Sequence, residues 1–378
     1  MKNRYLAFML LCMVVAAINC AQPAAKASQP DHTLRLKWIK AYPDEHWPQV
    51  REGLRWTFSF LGAALPQGCF DKVVPVNDSA AFTLDFSQLG FSLQALEAID
   101  SVLVKIKSSE SYRAKNYMDL SRLVVMLTGE SENYYAITGA EKTLNGFIGK
   151  HNLQKPLQFG VTRSSVATHH RLVEFNGDTS NVLNFAFLAV ESEGDLEKGT
   201  FSASVFEAFD IMPNGQLRFA VYDAKGNRIA GSPKHLGEAG KPAKCLWCHE
   251  IQISPLFVPN VAVKGMLSDE EFEFWRSAFQ RNLDRYRSTL NDDIDYTLTK
   301  DHTYMEMLYI SFMEPSLLRL GNEWGIPVVD AEKRMGASPD HVYEEFPQMG
   351  RLYYRYYADS VAGGSELKVP VSVREYFE

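Results

Sequence analysis

Cys245-Leu246-Trp247-Cys248-His249 sets two thiols three residues apart, with an imidazole directly behind the second. On one helical turn, positions i, i+3 and i+4 share a face, so both sulfurs and the ring can address a single partner. Two thiols at that separation can meet the two vinyl groups of one macrocycle while the imidazole faces its metal, the attachment pattern of a covalent haem. Three other chemistries use part of the set. A Cys245–Cys248 disulfide or a thioredoxin-like redox pair needs only the thiols. Neither explains His249, and no strand-to-helix Trp-Cys opening precedes the motif. Zinc needs four ligands, and with five cysteines there is no second pair to complete a ribbon, which leaves His235 as an isolated helper. The residues favour one covalent haem c held by Cys245, Cys248 and His249, with His249 as the iron ligand, over a disulfide or redox pair and over another metal, which stay as alternatives.

At this pentapeptide and its flanks the chain resembles the c-type cytochromes, a likeness that implies electron transfer or small-ligand redox chemistry. A second likeness concerns the approach to the motif. A strand, the turn Asp223-Ala224-Lys225-Gly226, a loop and then the motif resemble the β-sheet cytochromes c-prime and their hydroxylamine-oxidising relatives, over at most residues 182–258. Those proteins carry the motif near the chain end, whereas here the chain of 378 residues continues well past His249. Residues 34–155 have no counterpart and no haem-crosslinking lysine can be placed, so hydroxylamine oxidation is not implied. A single motif argues against multihaem wires and two-haem peroxidases. Lys241-Pro242-Ala243-Lys244 reads as a basic loop suited to haem propionates, or as a solvated turn. Ile251, Ile253, Leu256, Phe257 and Val258, interrupted by Pro255, read as a porphyrin wrap or as core. For the sixth iron position the candidates are Met305, Met307 and Met313, which otherwise fill a helix core, with His169, His170 and His235 as imidazole alternatives. Phe185 and Phe187, with Phe201, Phe206 and Phe209, offer an apolar distal wall that would leave that position vacant.

The address lies at the other end. Lys2 and Arg4 precede an apolar run from Tyr5 to Ile18 with the form of a secretion signal, too short to span a bilayer comfortably. Cys20 closes the run ahead of a Pro/Ala-rich tether, Ala21 to Pro30, and the arrangement resembles a bacterial lipoprotein signal in which that Cys is acylated. Asn19 departs from the small residue usual there, and ordinary cleavage after Ala25-Lys26-Ala27 is the alternative. Either route exports the protein, and the first anchors it to the cell envelope on the periplasmic side. Removing residues 1–19 deletes Lys2 and Arg4 and no acid, taking the formal net charge from -7 to -9. Cys12 leaves with the signal. Cys69 is a buried thiol if Cys20 is lipidated, and a Cys20–Cys69 disulfide is allowed if it is not.

Positioning the motif falls to an α+β fold. Helical spacing predicts a mainly helical region over 34–155: an amphipathic helix through Trp47, Val50, Leu54, Trp56 and Phe60 that ends near Pro66, a second started by Ser92, and two short ones over Asp119–Met126 and Ala140–Ile148. A β-sheet and haem-motif domain covers 156–265, with strands expected at Val182–Val190, Phe201–Phe209 and Leu217–Tyr222. A helical C-terminal region, 266–378, packs on it. It opens with the capping box Ser268-Asp269-Glu270-Glu271 on a helix reaching about Arg287, with Phe272, Trp275, Phe279 and Leu283 inward, and continues with helices over Tyr304–Phe312 and Pro315–Leu320. Hydrophobic residues at 46% and charged ones at 22% exclude global disorder, and the acidic balance without a basic run argues against nucleic acid. The partners implied are a redox protein or a small ligand such as a nitrogen oxide, with the membrane reached through a lipid. The reading from a different class is a non-catalytic surface lipoprotein with a structural Cys245–Cys248 pair.

Overall fold

The computed structural model describes residues 31–77, 81–162, 169–233, 236, 240–249, 251–253, 263–298, 301, 303–363 and 367. The signal segment, Cys20, the tether, His235, Pro255, Leu256, Phe257 and Val258 lie outside the described residues.

The chain from His32 onward is one compact α+β unit. β1 (Thr33–Lys37) is the centre of a three-stranded sheet, antiparallel to β2 (Ala81–Asp85) and parallel to β3 (Met118–Asp119). Helices α1 (Trp47–Phe60), α2 (Phe70–Val73), α3 (Leu93–Ser108), α4 (Glu110–Lys115), α5 (Leu120–Val124), α6 (Ser131–Thr138) and α7 (Leu144–Lys150) make up the rest of this half of the chain, and α1 stops at Phe60, short of Pro66. The sequence signals act where they are expected. Ser92 caps α3 by accepting from Ala95 N at 3.2 Å, and Val102, Leu103 and Ile106 bury one side of that helix. α5 is shorter than its apolar run, because a π turn over Val125–Gly129 takes up the rest. α7 starts late, at its Thr143 cap.

The second sheet is a five-stranded antiparallel meander: β4 (Leu157–Val161), β5 (Arg171–Phe175), β6 (Ala186–Glu191), β7 (Val205–Ile211) and β8 (Leu217–Asp223). β6 and β7 begin later than their alternation suggests. Asn181 accepts from Leu183 N at 3.0 Å and turns residues 182–184 into a 3-10 segment, and Ser192 ties down the approach to β7 by accepting from Ser202 N at 2.9 Å. Such side-chain bonds to the backbone offer an alternative to the ladder. At the tip between β7 and β8, Gly215 takes φ +78°, a conformation glycine reaches without a Cβ clash.

After the sheet come α8 (Pro242–His249), α9 (Asp269–Arg287), α10 (Thr303–Met313), α11 (Leu317–Trp324), α12 (Val328–Met335) and α13 (Arg355–Ala362), with a small pair β9 (Asp340–His341) and β10 (Leu352–Tyr353). Ser268 and Glu271 form the expected capping box on α9. Phe272, Phe279 and Leu283 are buried, and Phe279 meets Phe185, Phe187 and Phe175 at 4.5, 5.3 and 5.8 Å between ring centroids. α1 and α10 cross at Gly53, where an added Cβ would lie 2.7 Å from the Tyr304 carbonyl oxygen. One hydrophobic cluster draws on both sheets and on helices from both ends of the chain.

Candidate haem-attachment site

α8 begins at Lys241, whose carbonyl accepts from Lys244 N and Cys245 N. Pro242 stands at its first turn, where its missing N–H is not needed and its fixed φ suits the helix. Lys241-Pro242-Ala243-Lys244 is accordingly the start of a helix and not a loop, with Pro242 and Ala243 buried. The motif occupies the second turn, so Cys245, Cys248 and His249 fall at i, i+3 and i+4 of a regular helix. Cys245 and Cys248 are thiols, without a disulfide between them.

α8 lies between the meander and the N-terminal helices, packing on β8, on α6 and on the π turn. Its sheet side is His249, whose ring centroid is 5.4 Å from Phe209 and 5.4 Å from Phe219. The register explains the placement. Phe175, Phe187, Phe209 and Phe219 are cross-strand partners in one row over four strands, all on one face. Phe187 stacks on Phe209 at 4.9 Å. Phe206 is an odd number of residues from Phe209 and points to the other face, while Phe185 and Phe201 precede their strands. Of the expected aromatic wall, Phe187 and Phe209 face the motif side, and Phe219 completes it. The opposite side of α8 is Trp247, whose ring meets Tyr309 of α10 at 4.8 Å, edge to face.

Further along the same sheet face lie Arg171, Glu191 and Glu207, two to four residues from the aromatic row. Arg171 pairs with Glu191 and lies 3.9 Å from Glu207. Glu191 is 1% exposed. Its carboxyl is pushed far up by burial and then by the neighbouring Glu207. Among the described residues, Arg171 Nε, both Glu191 oxygens and Glu207 Oε1 are buried without a well-formed hydrogen bond. The cluster's field reaches the motif. Burial and then Arg171 lower the His249 imidazole to about 4, and burial and then Glu207 raise the Cys245 thiol. At neutral pH the site thus holds a neutral imidazole and a protonated, desolvated thiol.

The segment behind the motif is held by α9. Arg276 donates to the Ile253 carbonyl at 2.9 Å, Gln280 accepts from Ile253 N at 2.8 Å, and buried Arg287 donates to the carbonyls of Ile251 and Gly215 at 2.6 and 2.9 Å. Ile251 and Ile253 are buried. The methionines and remaining histidines have other surroundings. Met305 and Met313 are buried in the main core, and Met307 packs with Tyr42, Ile310 and Phe346 in a separate cluster. His170 Nδ1 accepts from Leu196 N at 3.0 Å. Cys69 is a buried thiol with its pKa pushed up to about 11 by burial and then Asp293.

The residues present suit a covalent haem in donor chemistry: two thiols and a neutral imidazole on one helical face, with His249 Nδ1 buried and lacking a partner among the described residues. Entry of a flat ring between His249 and the Phe row requires α8 and the sheet to part by about 3.5 Å, one aromatic thickness. Among the described residues no group of three or more His, Cys, Asp or Glu side chains is placed to hold a metal ion, and no helix is long and apolar enough to cross a membrane.

Comparison of the chain with protein-family models, with curated proteins and with solved structures finds no match.

The sequence reading did not single out Phe219, Arg171, Glu191, Glu207, Tyr309 or Arg287. Strand alternation carried through β8 points to Phe219. The others come together only through cross-strand register and helix docking.

Proposed function

We propose that the chain is an exported, single-haem c-type cytochrome-like protein acting in electron transfer or small-ligand redox chemistry. The observation that carries this reading is the Cys245-x-x-Cys248-His249 turn set as a regular helix against an aromatic sheet face, with its imidazole kept neutral. Cys245 and Cys248 would hold haem c as thioethers. Each thiol adds across a vinyl double bond, sulfur to one carbon and hydrogen to the other, so attachment needs no oxidant. His249 would supply an imidazole nitrogen to the iron, and its depressed pKa keeps that lone pair free of a proton near neutrality. When bound, the haem supplies a one-electron couple and an iron able to take a small ligand.

The chain's own residues then set the character of the iron. Phe187, Phe209 and Phe219 exclude water and offer no ligand, which favours a vacant sixth position and chemistry on a small molecule such as a nitrogen oxide. Arg171 lies close enough to lower the imidazole's pKa, while the neighbouring Glu191 carboxyl, pushed up by burial and then by Glu207, keeps its proton near neutrality. Cys20, acylated, would tether the protein to the envelope on the periplasmic side.

The test is the intact mass and visible spectrum of the mature protein purified from the envelope of a host competent in haem attachment. A mass gain of one haem, with a Soret band that survives acid–acetone extraction, is the expected result. A mass two hydrogens below that of the dithiol, with no Soret band, sinks the reading in favour of a structural Cys245–Cys248 pair.

A further inference from the structure

A recess lies where the chain leaves β1 and enters α1, and its described lining residues are separate from those of the haem-attachment site. Its volume is about 770 Å³, within the ~300–1,000 Å³ typical of small-molecule sites, and it is open to solvent rather than enclosed. Trp38 and Lys40, just past β1, line one side, and Trp47 at the start of α1 lines another with the residues flanking it. Val76 and Asn77, beyond α2, complete it.

Two indoles set its character. Trp38 and Trp47 meet at 5.7 Å between ring centroids, with their planes 40° apart. Each indole N–H is committed to the protein: Trp38 Nε1 donates to Glu45 Oε2 at 3.2 Å, and Trp47 Nε1 to the Pro75 carbonyl at 2.9 Å. Glu45 Oε2 also accepts from Ala41 N at 2.5 Å, so one buried carboxyl fixes both the Trp38 ring and the backbone that follows it. Trp47 is only 4% exposed, whereas Trp38 is partly buried and lines the recess. The accessible indole is thus held in place before any ligand arrives, and little side-chain freedom is left to lose on binding.

Around Trp38 the recess mixes apolar and polar groups. Val76 is 60% exposed and Pro48 is exposed beside it in the lining. His46 and Asn77 are exposed and Lys40 is half-buried, so an imidazole, a carboxamide and an ammonium meet water around the ring. Lys40 brings one positive charge against the Glu45 carboxyl, and among the described lining residues no sign of charge dominates. Neither an anion nor a cation is favoured. An indole amid such groups suits a ligand with an apolar face and a hydroxylated rim. A sugar ring has that form: its C–H groups pack on the electron-rich face of an indole while its hydroxyls hydrogen-bond at the edge. Because the recess is open, it can take one stretch of a longer chain whose ends remain in water.

We propose that this recess binds a neutral oligosaccharide, one sugar ring stacked on Trp38 and its hydroxyls toward His46 and Asn77. The site is independent of haem, and its test uses the full chain with or without it. The protein is titrated by calorimetry with cellohexaose, maltohexaose and chitohexaose, and with dextran sulfate as a charged counterpart.

Saturable binding at one site is expected for at least one of the three neutral sugars. Trp38→Ala should weaken it at least tenfold, and Trp38→Phe, which keeps an aromatic face, should recover part of that loss. Asn77→Ala changes an exposed side chain and should weaken binding severalfold, so it decides the matter if Trp38→Ala loses its circular dichroism. Any of three results overturns the proposal: no saturable binding of a neutral sugar to folded protein, tighter binding of dextran sulfate than of all three, or an unchanged affinity in the folded variants.

Discussion

At the scale of single residues, the three motif side chains do different work and should fail differently. His249→Ala leaves both thiols and removes the axial nitrogen, so covalent haem with an altered spectrum is expected. Cys245→Ala or Cys248→Ala leaves the ligand and removes one thioether, so part of the haem should extract into acid–acetone. Identical spectra and extraction for all three variants and the parent would refute the assignment. Glu191 gives a pH prediction that stands with or without haem. Burial and Glu207 hold its carboxyl up at about 8, against an ordinary value near 4.5. The folded state therefore keeps a proton that the unfolded chain has released, and this contribution to stability is fully present below the unfolded pKa. It is lost as pH rises toward 8. Melting temperature should fall across that window, and Glu191→Gln should flatten the fall. An unchanged slope in the variant contradicts the placement of that proton.

At the scale of elements, the crossing of α1 and α10 offers the cleanest test of packing. Gly53 lets the Tyr304 carbonyl come within 2.7 Å of where a Cβ would stand, so Gly53→Ala must push two backbones apart. A loss of about 1–3 kcal/mol is expected in denaturant unfolding, although alanine is the better helix former; a gain in stability would show that the crossing is loose. Much of this architecture can be read in the chain. The Ser92 cap, the Ser268/Glu271 box and the inward Phe272, Phe279 and Leu283 are local signals whose meaning does not depend on partners. Alternation located the strands but misjudged their starts, because the Asn181 and Ser192 side chains compete for backbone N–H groups. The candidate site divides along the same line. Cys245, Cys248 and His249 lie within five residues and could be read together. Arg171, Glu191 and Glu207 are far apart in the chain and meet only through the pairing of β5, β6 and β7. Arg287 reaches the motif's trailing segment from the last turn of another helix.

At the scale of the whole molecule, the proposed reading makes two predictions, one on where the protein resides and one on whether a bound haem would react or conduct. Cys20→Ala should release it from membranes without altering its spectrum. Retention of the variant through an alkaline wash rules out lipid anchoring at that residue. On the proposed reading the Phe187, Phe209 and Phe219 face would offer a bound haem no second ligand, so carbon monoxide added to the reduced protein should shift the Soret band promptly. An unmoved band, with a methionine-to-iron absorption toward the red, would instead indicate a ligand such as Met313 and an electron carrier.

The double burial of α8 bears on how such a protein matures. Cys245, Leu246 and Trp247 are closed off between the sheet and the helical layer, with Trp247 lodged on Tyr309. An attachment enzyme working on the finished fold would find no access to the first thiol. On the proposed reading, loading must take place while the exported chain is still open, and the docking of α8 is the deadline. Chains that close early become a dead end that later haem supply cannot rescue. Yield of loaded protein should then depend on the relative timing of export, cofactor delivery and collapse more than on the affinity of the finished site.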